Sequence, residues 1–478
     1  MSTPANVRAQ IAHPVVDADG HWLEFGPQIK SALERIGGRH ALNGYTSFSE
    51  QMERELDMSV AQRRHQRIAQ QGFWTAPTRN TKDRATAMMP KLLYERMDEL
   101  GLDFCVLYPT AGLGLPRLTD PCQRKAACRA FNIFVAEHFA PFADRITPVT
   151  AIPTYTPEEA IEELEFVKNE LGLKAVMLGS MNRHSVAALS DDSPPNRFTL
   201  WRDVLGLDSE HDYDPVWDCC QQLGFSPTFH TGGRGYGLRT SPSNFVYNHI
   251  GHFASTSEAV CKALFLGGVT RRFPCLNFGF QEGGVGWACQ LFADLVEHWE
   301  TRNRSALEAV DPSNVDPQAL REWAEDYGDA TMIEALRDPA TLIDTAAPAS
   351  ASTGGIEDLD DFSACRIEDA RDIKTLFAER FYFGCESEDR MNAWAFAERN
   401  NPFSTRLKAM FGSDIGHFDV MNMEDVLPGA YELVESELMS PTDFRDFAFA
   451  NAVRFWGETN PSFFDGTLVA SEARAILG

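Results

Sequence analysis

Near the start of the chain a short apolar run, Pro14-Val15-Val16, leads into Asp17-Ala18-Asp19-Gly20-His21. Strand alternation puts Asp17, Asp19 and His21 on one face, at the point where the run leaves a core. A carboxylate and an imidazole two residues apart can give a divalent metal one oxygen and one nitrogen. The same triplet also describes a plain solvated strand end. A second run, residues 226–231 (SPTFHT), carries His230 and is followed by Gly232-Gly233. That histidine either caps a tight turn or is a ligand whose small neighbours let substrate approach. A third run, residues 410–414 (MFGSD), ends in Asp414. Each signal is weak alone. Together, three ligand-type residues at the C-terminal ends of three runs point to a metal site.

Further donors lie nearby in the sequence. Glu282 sits in Gln281-Glu282-Gly283-Gly284, where it could be a ligand or a base. His249 and His252 share a face if their segment opens a helix, although core histidines bonded to backbone are common. The full set holds three carboxylates (Asp19, Glu282, Asp414) and four histidines (His21, His230, His249, His252). One zinc ion needs about four ligands, often with one position left to water. A carboxylate-rich set also suits one or two Fe or Mn ions. His249, Glu282 and His417 are the candidates for moving protons. Arg234, in the glycine-rich run 232–237 (GGRGYG), and Arg239 are candidate anchors for a substrate carboxylate. Trp74, in the aromatic run 72–74, is a further candidate substrate contact. Asp17 and Glu24 either orient a ligand or cap the strand. The glycine-rich run lacks the Lys-Ser/Thr of a phosphate loop, and no Gly-x-Ser-x-Gly elbow supports serine catalysis.

These residues need a scaffold that brings strand ends together. Apolar runs fall at 14–19, 103–109, 146–153, 173–179, 227–231, 276–281, 381–385 and 409–414, with helical patterns at 157–171, 215–224, 257–270 and 287–303. Eight strands spaced by helices predict an α/β fold, a (β/α)8 TIM barrel, whose C-terminal face is the active-site face. A doubly wound open sheet is the alternative, and it leaves the placement of the donors unexplained. Two stretches are too long for barrel loops. Residues 22–100 read as a lid-type insertion and as the expected surface for pairing of subunits. Residues 304–375 read as an acidic, flexible insertion, with a linker at 346–355 (AAPASASTGG). Residues 444–457 form an amphipathic helix packed outside the barrel. The 478 residues are thus expected to be one barrel with two long insertions.

Composition narrows the function classes. The chain has 43 Lys plus Arg against 69 Asp plus Glu, a formal charge of −26. So acidic a chain lacks the basic footprint that nucleic acid or an anionic membrane would need. No stretch approaches the ~18 apolar residues of a membrane span, and the N-terminal residues lack a signal-peptide core, so a cytoplasmic protein is expected. Ten cysteines without a CxxC pair fit reduced, buried thiols.

Residues 17–24 (DADGHWLE), 229–233 (FHTGG), 272–287 (RFPCLNFGFQEGGVGW) and 411–417 (FGSDIGH), with weaker support from 381–389 (FYFGCESED) and 451–467, resemble the amidohydrolase superfamily. The similar branch is that of aminocarboxymuconate semialdehyde decarboxylase and the dihydroxybenzoate and carboxyvanillate decarboxylases. The resemblance covers most of the chain outside 304–375. It implies that Asp19 and His21 are the first-strand ligands, His230 the fifth-strand ligand and Asp414 the eighth-strand acid. The sixth strand departs from the family, with Gln281-Glu282 where a His is usual. The reading that follows is a metal-dependent hydrolase or decarboxylase holding Zn, Mn or Fe and acting on a small, carboxylate-bearing molecule. Glu282 or His252 would be its base. The rival is a dinuclear Fe or Mn oxygenase subunit, with His249 or His252 beside Glu282 at the second metal and an electron-donating partner on the acidic insertion. A third is a catalytically silent subunit that holds metal for structure.

Overall fold

The computed structural model describes residues 2–72, 80–186, 200–230, 238–309, 311, 314–338, 341 and 359–478. Eight strands form one parallel sheet: β1 (Val16–Trp22), β2 (Phe104–Pro109), β3 (Ile146–Ile152), β4 (Ala175–Leu178), β7 (Pro227–Phe229), β8 (Phe278–Phe280), β9 (Phe381–Glu386) and β10 (Lys408–Gly412). Each pairs in parallel with the next in that order. At the seam the Asp414 amide donates to Asp19 O at 3.0 Å and the His21 amide to Ile415 O at 3.1 Å. The sheet thereby closes into the expected (β/α)8 barrel. Its strands are almost wholly buried, as a sheet covered on both faces requires.

The helices around the barrel carry clear start and stop signals. Asp120 and Thr156 cap Pro121–Phe139 and Pro157–Asn169, each with proline in the first turn. Gly224, in the left-handed region, ends Asp214–Leu223. Between β4 and β7 lies an antiparallel hairpin, β5 (Asn182–Ser185) and β6 (Leu200–Asp203), which the sequence pattern does not announce. Among the described residues no helix is long and apolar enough to cross a membrane.

The first insertion is helical: Gly26–Asp57, Val60–Gln66, Thr81–Met88 and Pro90–Leu100. The long helix packs on Pro121–Phe139, where a Cβ at Gly37 would lie 2.9 Å from Ala130 Cβ. Beyond it, the helix Val60–Gln66 and the residues that follow reach the 241–248 segment. Arg63 Nε donates to Pro242 O (2.9 Å), Asn248 Nδ2 to Gln70 O (3.1 Å) and the Gln70 amide to Ser241 O (2.8 Å). The second insertion contributes Arg304–Ala309, Pro317–Tyr327 and Ala330–Ala335, with Ala324, Leu336 and Leu320 forming a small cluster of their own. Its linker, 346–355, lies outside the described residues, as do Trp74 and Arg234.

Partly buried charge also occurs at the N-terminal ends of the strands, at Lys408. There Lys408 Nζ donates to Glu379 O and to the Tyr382 hydroxyl, both at 2.9 Å. Asn277 Nδ2 and the Tyr382 hydroxyl donate to Glu458 Oε2, at 3.2 and 3.4 Å.

Candidate metal centre

Six of the expected residues meet at the C-terminal mouth. Asp19 and His21 come from β1, His230 follows β7, Glu282 follows β8, and Asp414 and His417 follow β10. The His21 and His230 Nε2 atoms are 2.8 Å apart. Asp19 Oδ1 lies 3.6 Å from His21 Nε2 and 3.4 Å from His230 Nε2. Glu282 Oε2 lies 3.8 and 3.3 Å from the same two atoms, and Asp414 Oδ1 is 3.7 Å from His21 Nε2. Two sets have donor atoms mutually within 4.8 Å: Asp19, His21 and His230; and His21, Glu282, Asp414 and His417.

The backbone explains the convergence. β1 runs on past the predicted 14–19, and its register with β2 shifts between Asp17 and Gly20. That bulge breaks simple alternation, so Asp17 does not join the other two. Instead its carboxylate faces Ser413 and Cys105. Glu282 (φ 54) and Asp414 (φ 48) both occupy the left-handed region. Non-glycine residues reach it at a cost, and such strain gathers at functional sites. Beneath Glu282, Gln281 Nε2 donates to Ala18 O (3.0 Å) and to the Tyr108 hydroxyl (2.8 Å). A Cβ at Gly384 would come within 1.9 Å of Gln281 Oε1, so glycine is required there.

His21 Nδ1 contacts Pro109 O at 3.2 Å. Donation from Nδ1 leaves the Nε2 lone pair facing the cluster, as the second shell of a metal-binding histidine would arrange. His417 stacks on the His21 ring (centroids 4.0 Å). Its Nδ1 is 2.6 Å from Asp414 Oδ1 and its Nε2 is 3.2 Å from Thr110 Oγ1. Glu24 accepts the Ala111 and Gly112 amides (2.9 and 2.7 Å), so it holds the β2 loop and lies outside both sets.

Electrostatics test whether a cation fits. Asp19 Oδ1, Glu282 Oε2 and Asp414 Oδ2 are buried without a hydrogen-bond partner. Burial pushes all three carboxyls well above the usual range; Asp17 adds to the rise at Asp19, Asp19 at Glu282, and Glu282 at Asp414. Burial holds His21 and His230 well below the usual imidazole value, as neutral donors. Three crowded anions of this kind are costly to keep ionised unless a positive charge compensates them. The donor set, mixed imidazole and carboxylate, fits a divalent metal.

A cleft of about 200 Å³ opens beside Glu282, lined by His249, Phe253, Glu386 and Asp389 among others. Glu386 ends β9, and burial first, then Asp419, pushes its carboxyl up to about 7. Sequence reasoning passed over it, although an acid closing the strand 381–386 (FYFGCE) was a signal of the kind used at Asp414. Arg117 ends the turn that follows β2, and its charge contributes to the lowering at His230.

His249 and His252 depart from expectation. His249 ends the helix Phe245–His249 and His252 begins His252–Leu266, with Gly251 (φ 70) breaking the chain between them. They do not share a helix face, though their rings lie 4.7 Å apart, and neither belongs to the two converging sets. His252 Nδ1 is 2.6 Å from His249 O. Arg239 donates to Ile250 O (2.7 Å), a backbone contact at the cleft wall.

A family model described as Amidohydrolase matches residues 16–336. No curated protein sequence matches the chain. Among solved structures, an amidohydrolase from Mycobacterium avium subsp. paratuberculosis K-10 superposes with a TM-score of 0.53 at 17% identity, covering 94% of this chain and 100% of that one. A dihydroxybenzoic acid decarboxylase from Polaromonas sp. JS666, solved with manganese and 2-nitroresorcinol, gives 0.51 at 14% identity, covering 95% and 99%. Both likenesses support the barrel fold.

Proposed function

Because the chain belongs to the amidohydrolase family, we propose that it is a metal-dependent enzyme acting on a small, carboxylate-bearing organic molecule by hydrolysis or decarboxylation. The observation that carries this reading is the convergence of Asp19, His21, His230, Glu282 and Asp414, with buried carboxylate oxygens left unpartnered at the barrel mouth. Asp19, His21, His230 and Asp414 would hold one divalent ion. Such an ion, when bound, lowers the pKa of a water or polarises a substrate oxygen. The manganese in the Polaromonas decarboxylase supports the choice of Mn among the candidate metals.

The remaining roles belong to the chain itself. Glu282 lies between the cluster and the cleft, where Oε2 can take up a proton and hold it, since burial favours its neutral form. Arg239, which donates to Ile250 O at the cleft wall, is the anchor we assign to the substrate's anionic end, a guanidinium being suited to a planar carboxylate. The cleft is smaller than usual drug-sized pockets of ~300–1,000 Å³, which suits a small molecule. A second reading, two Fe or Mn ions and oxygen chemistry, rests on the carboxylate-rich donor set alone, because the two sets share His21 and its one free lone pair cannot serve two ions.

Metal analysis of the purified protein, with Glu282→Gln beside it, tests both readings. One equivalent of Zn or Mn, kept in the variant while turnover is lost, is the expected result. A protein that takes up no divalent ion would sink the proposal. Two equivalents of Fe or Mn, with oxygen consumed when a reductant is added, would replace it by the second reading.

A further inference from the structure

Asp17 is fully buried at the barrel seam, yet belongs to neither converging set. Its Oδ1 accepts the Asp19 amide at 3.2 Å and the Ser413 amide at 2.9 Å. Its Oδ2 accepts the Ser413 hydroxyl at 2.5 Å and the Cys105 thiol at 3.2 Å. One carboxylate therefore grips ligand residue Asp19 by its own amide. It also grips Ser413, the residue immediately before ligand Asp414. We propose that Asp17 is a positioning residue that sets the carboxylates of Asp19 and Asp414 for the metal, an inference that rests on the metal-dependent reading above.

The local sequence is shaped around this contact. A Cβ at Gly20 would stand 2.6 Å from Asp17 Oδ2 and 2.7 Å from Cys105 Sγ, and one at Gly412 would stand 2.9 Å from Asp19 Cβ. Glycine on both strands is what lets the seam approach this closely. The β1 bulge between Asp17 and Gly20 turns Asp17 toward Ser413 and leaves Asp19 facing the cluster. Asp414 holds its left-handed conformation while its amide is tied to Asp19 O, so the two ligand residues are also bonded to each other.

Closing the seam does not by itself call for an anion here. Backbone bonds already join the two strands, and a neutral hydroxyl or amide would avoid the desolvation of a charge. A fourth carboxylate beside three others is electrostatically adverse unless a cation lies at the centre. The arrangement then makes sense as the outer partner of metal ligands, where it restricts the carboxylates to one direction.

The test uses the full chain, with Mn2+ as the probe, and compares Asp17→Asn and Ser413→Ala with wild type. The readouts are the Mn2+ dissociation constant by calorimetry, the electron paramagnetic resonance line shape of the bound ion, and the Tm of the metal-free protein. Asp17→Asn is expected to raise the dissociation constant roughly 10- to 100-fold and to change the line shape. Ser413→Ala keeps the charge of Asp17 and removes one of its bonds, so a smaller shift in the same direction reports positioning rather than charge. A folded Asp17→Asn that binds Mn2+ within about twofold of wild type, with only its metal-free Tm lowered, would overturn the proposal. If that variant fails to fold, unchanged binding and line shape in Ser413→Ala overturn it instead. Wild-type protein that binds neither Mn2+ nor Zn2+ would remove the metal-dependent reading itself, an outcome separate from either of these.

Discussion

At the N-terminal ends of the strands, the ammonium of Lys408 donates to Glu379 O and Tyr382, while Glu458 Oε2 accepts from Asn277 and Tyr382. At the C-terminal ends, Asp19, Glu282 and Asp414 bury oxygens that no donor satisfies. The upper region takes its charges out of water and the lower one buries the Lys408 ammonium in part while Glu458 stays exposed, and partners offset that cost. The lower network supplies those partners from its own side chains and backbone, and so stabilises a fold. The upper one leaves like charges facing one another, an arrangement that makes sense once a ligand completes it. This is the division seen across TIM barrels, with chemistry at the C-terminal face and stability at the other.

The largest expected effect that would break the comparison comes from Asp414→Asn. Removing one converging carboxylate should take metal content after dialysis from about one equivalent to near zero, with circular dichroism unchanged. Retained metal would place the centre elsewhere. A smaller effect comes from Glu386, whose carboxyl is pushed up to about 7 by burial. A raised carboxyl pKa means that the folded state keeps a proton which the unfolded chain has lost. Metal-free protein should therefore lose stability as pH rises from about 4.5 to 7, by at most ~3.4 kcal/mol at 1.36 kcal/mol per unit. Glu386→Gln should flatten that slope in chemical denaturation, and an unaltered slope would assign it to other groups. The effect at Lys408, whose ammonium keeps two bonds although burial lowers its pKa to about 8, has the same ceiling, since its shift spans as many units. Between about pH 8 and 10.5 the unfolded chain binds the proton that the folded chain releases, so stability should rise with pH across that window. Lys408→Met should weaken the rise and leave metal content untouched. Lost metal in that variant would show that the two ends of the barrel are not independent.

The candidate positions were legible because acids and histidines stand where apolar runs stop, and the fold brings those stops together. Residue type and place at a run's end marked Asp19, His21, His230 and Asp414, although each alone also fitted a plain strand end. What the sequence could not express was backbone direction. Glu282 and Asp414 turn into the mouth through left-handed conformations that no glycine marks, and the bulge in β1 sends Asp17 to the seam. His249 and His252 misled in the opposite way, since Gly251 interrupts the helix that their spacing suggested. The hairpin β5–β6 was invisible because Asn182–Ser185 (NRHS) has no apolar alternation. Glu386 carried its charge in plain view, but its relevance depends on the cleft that the fold opens beside it.

The seam between β1 and β10 joins residues 396 positions apart, Asp17 and Ser413. A ribosome adding ~5–20 residues per second exposes Asp19 and His21 well before Asp414 exists. Through that interval the nascent barrel lacks its eighth strand, and its earlier carboxylates and imidazoles have no fixed geometry against the missing wall. A chain arrested before β10 would carry most of the candidate donors yet lack Asp414 and the strand that closes the barrel around them.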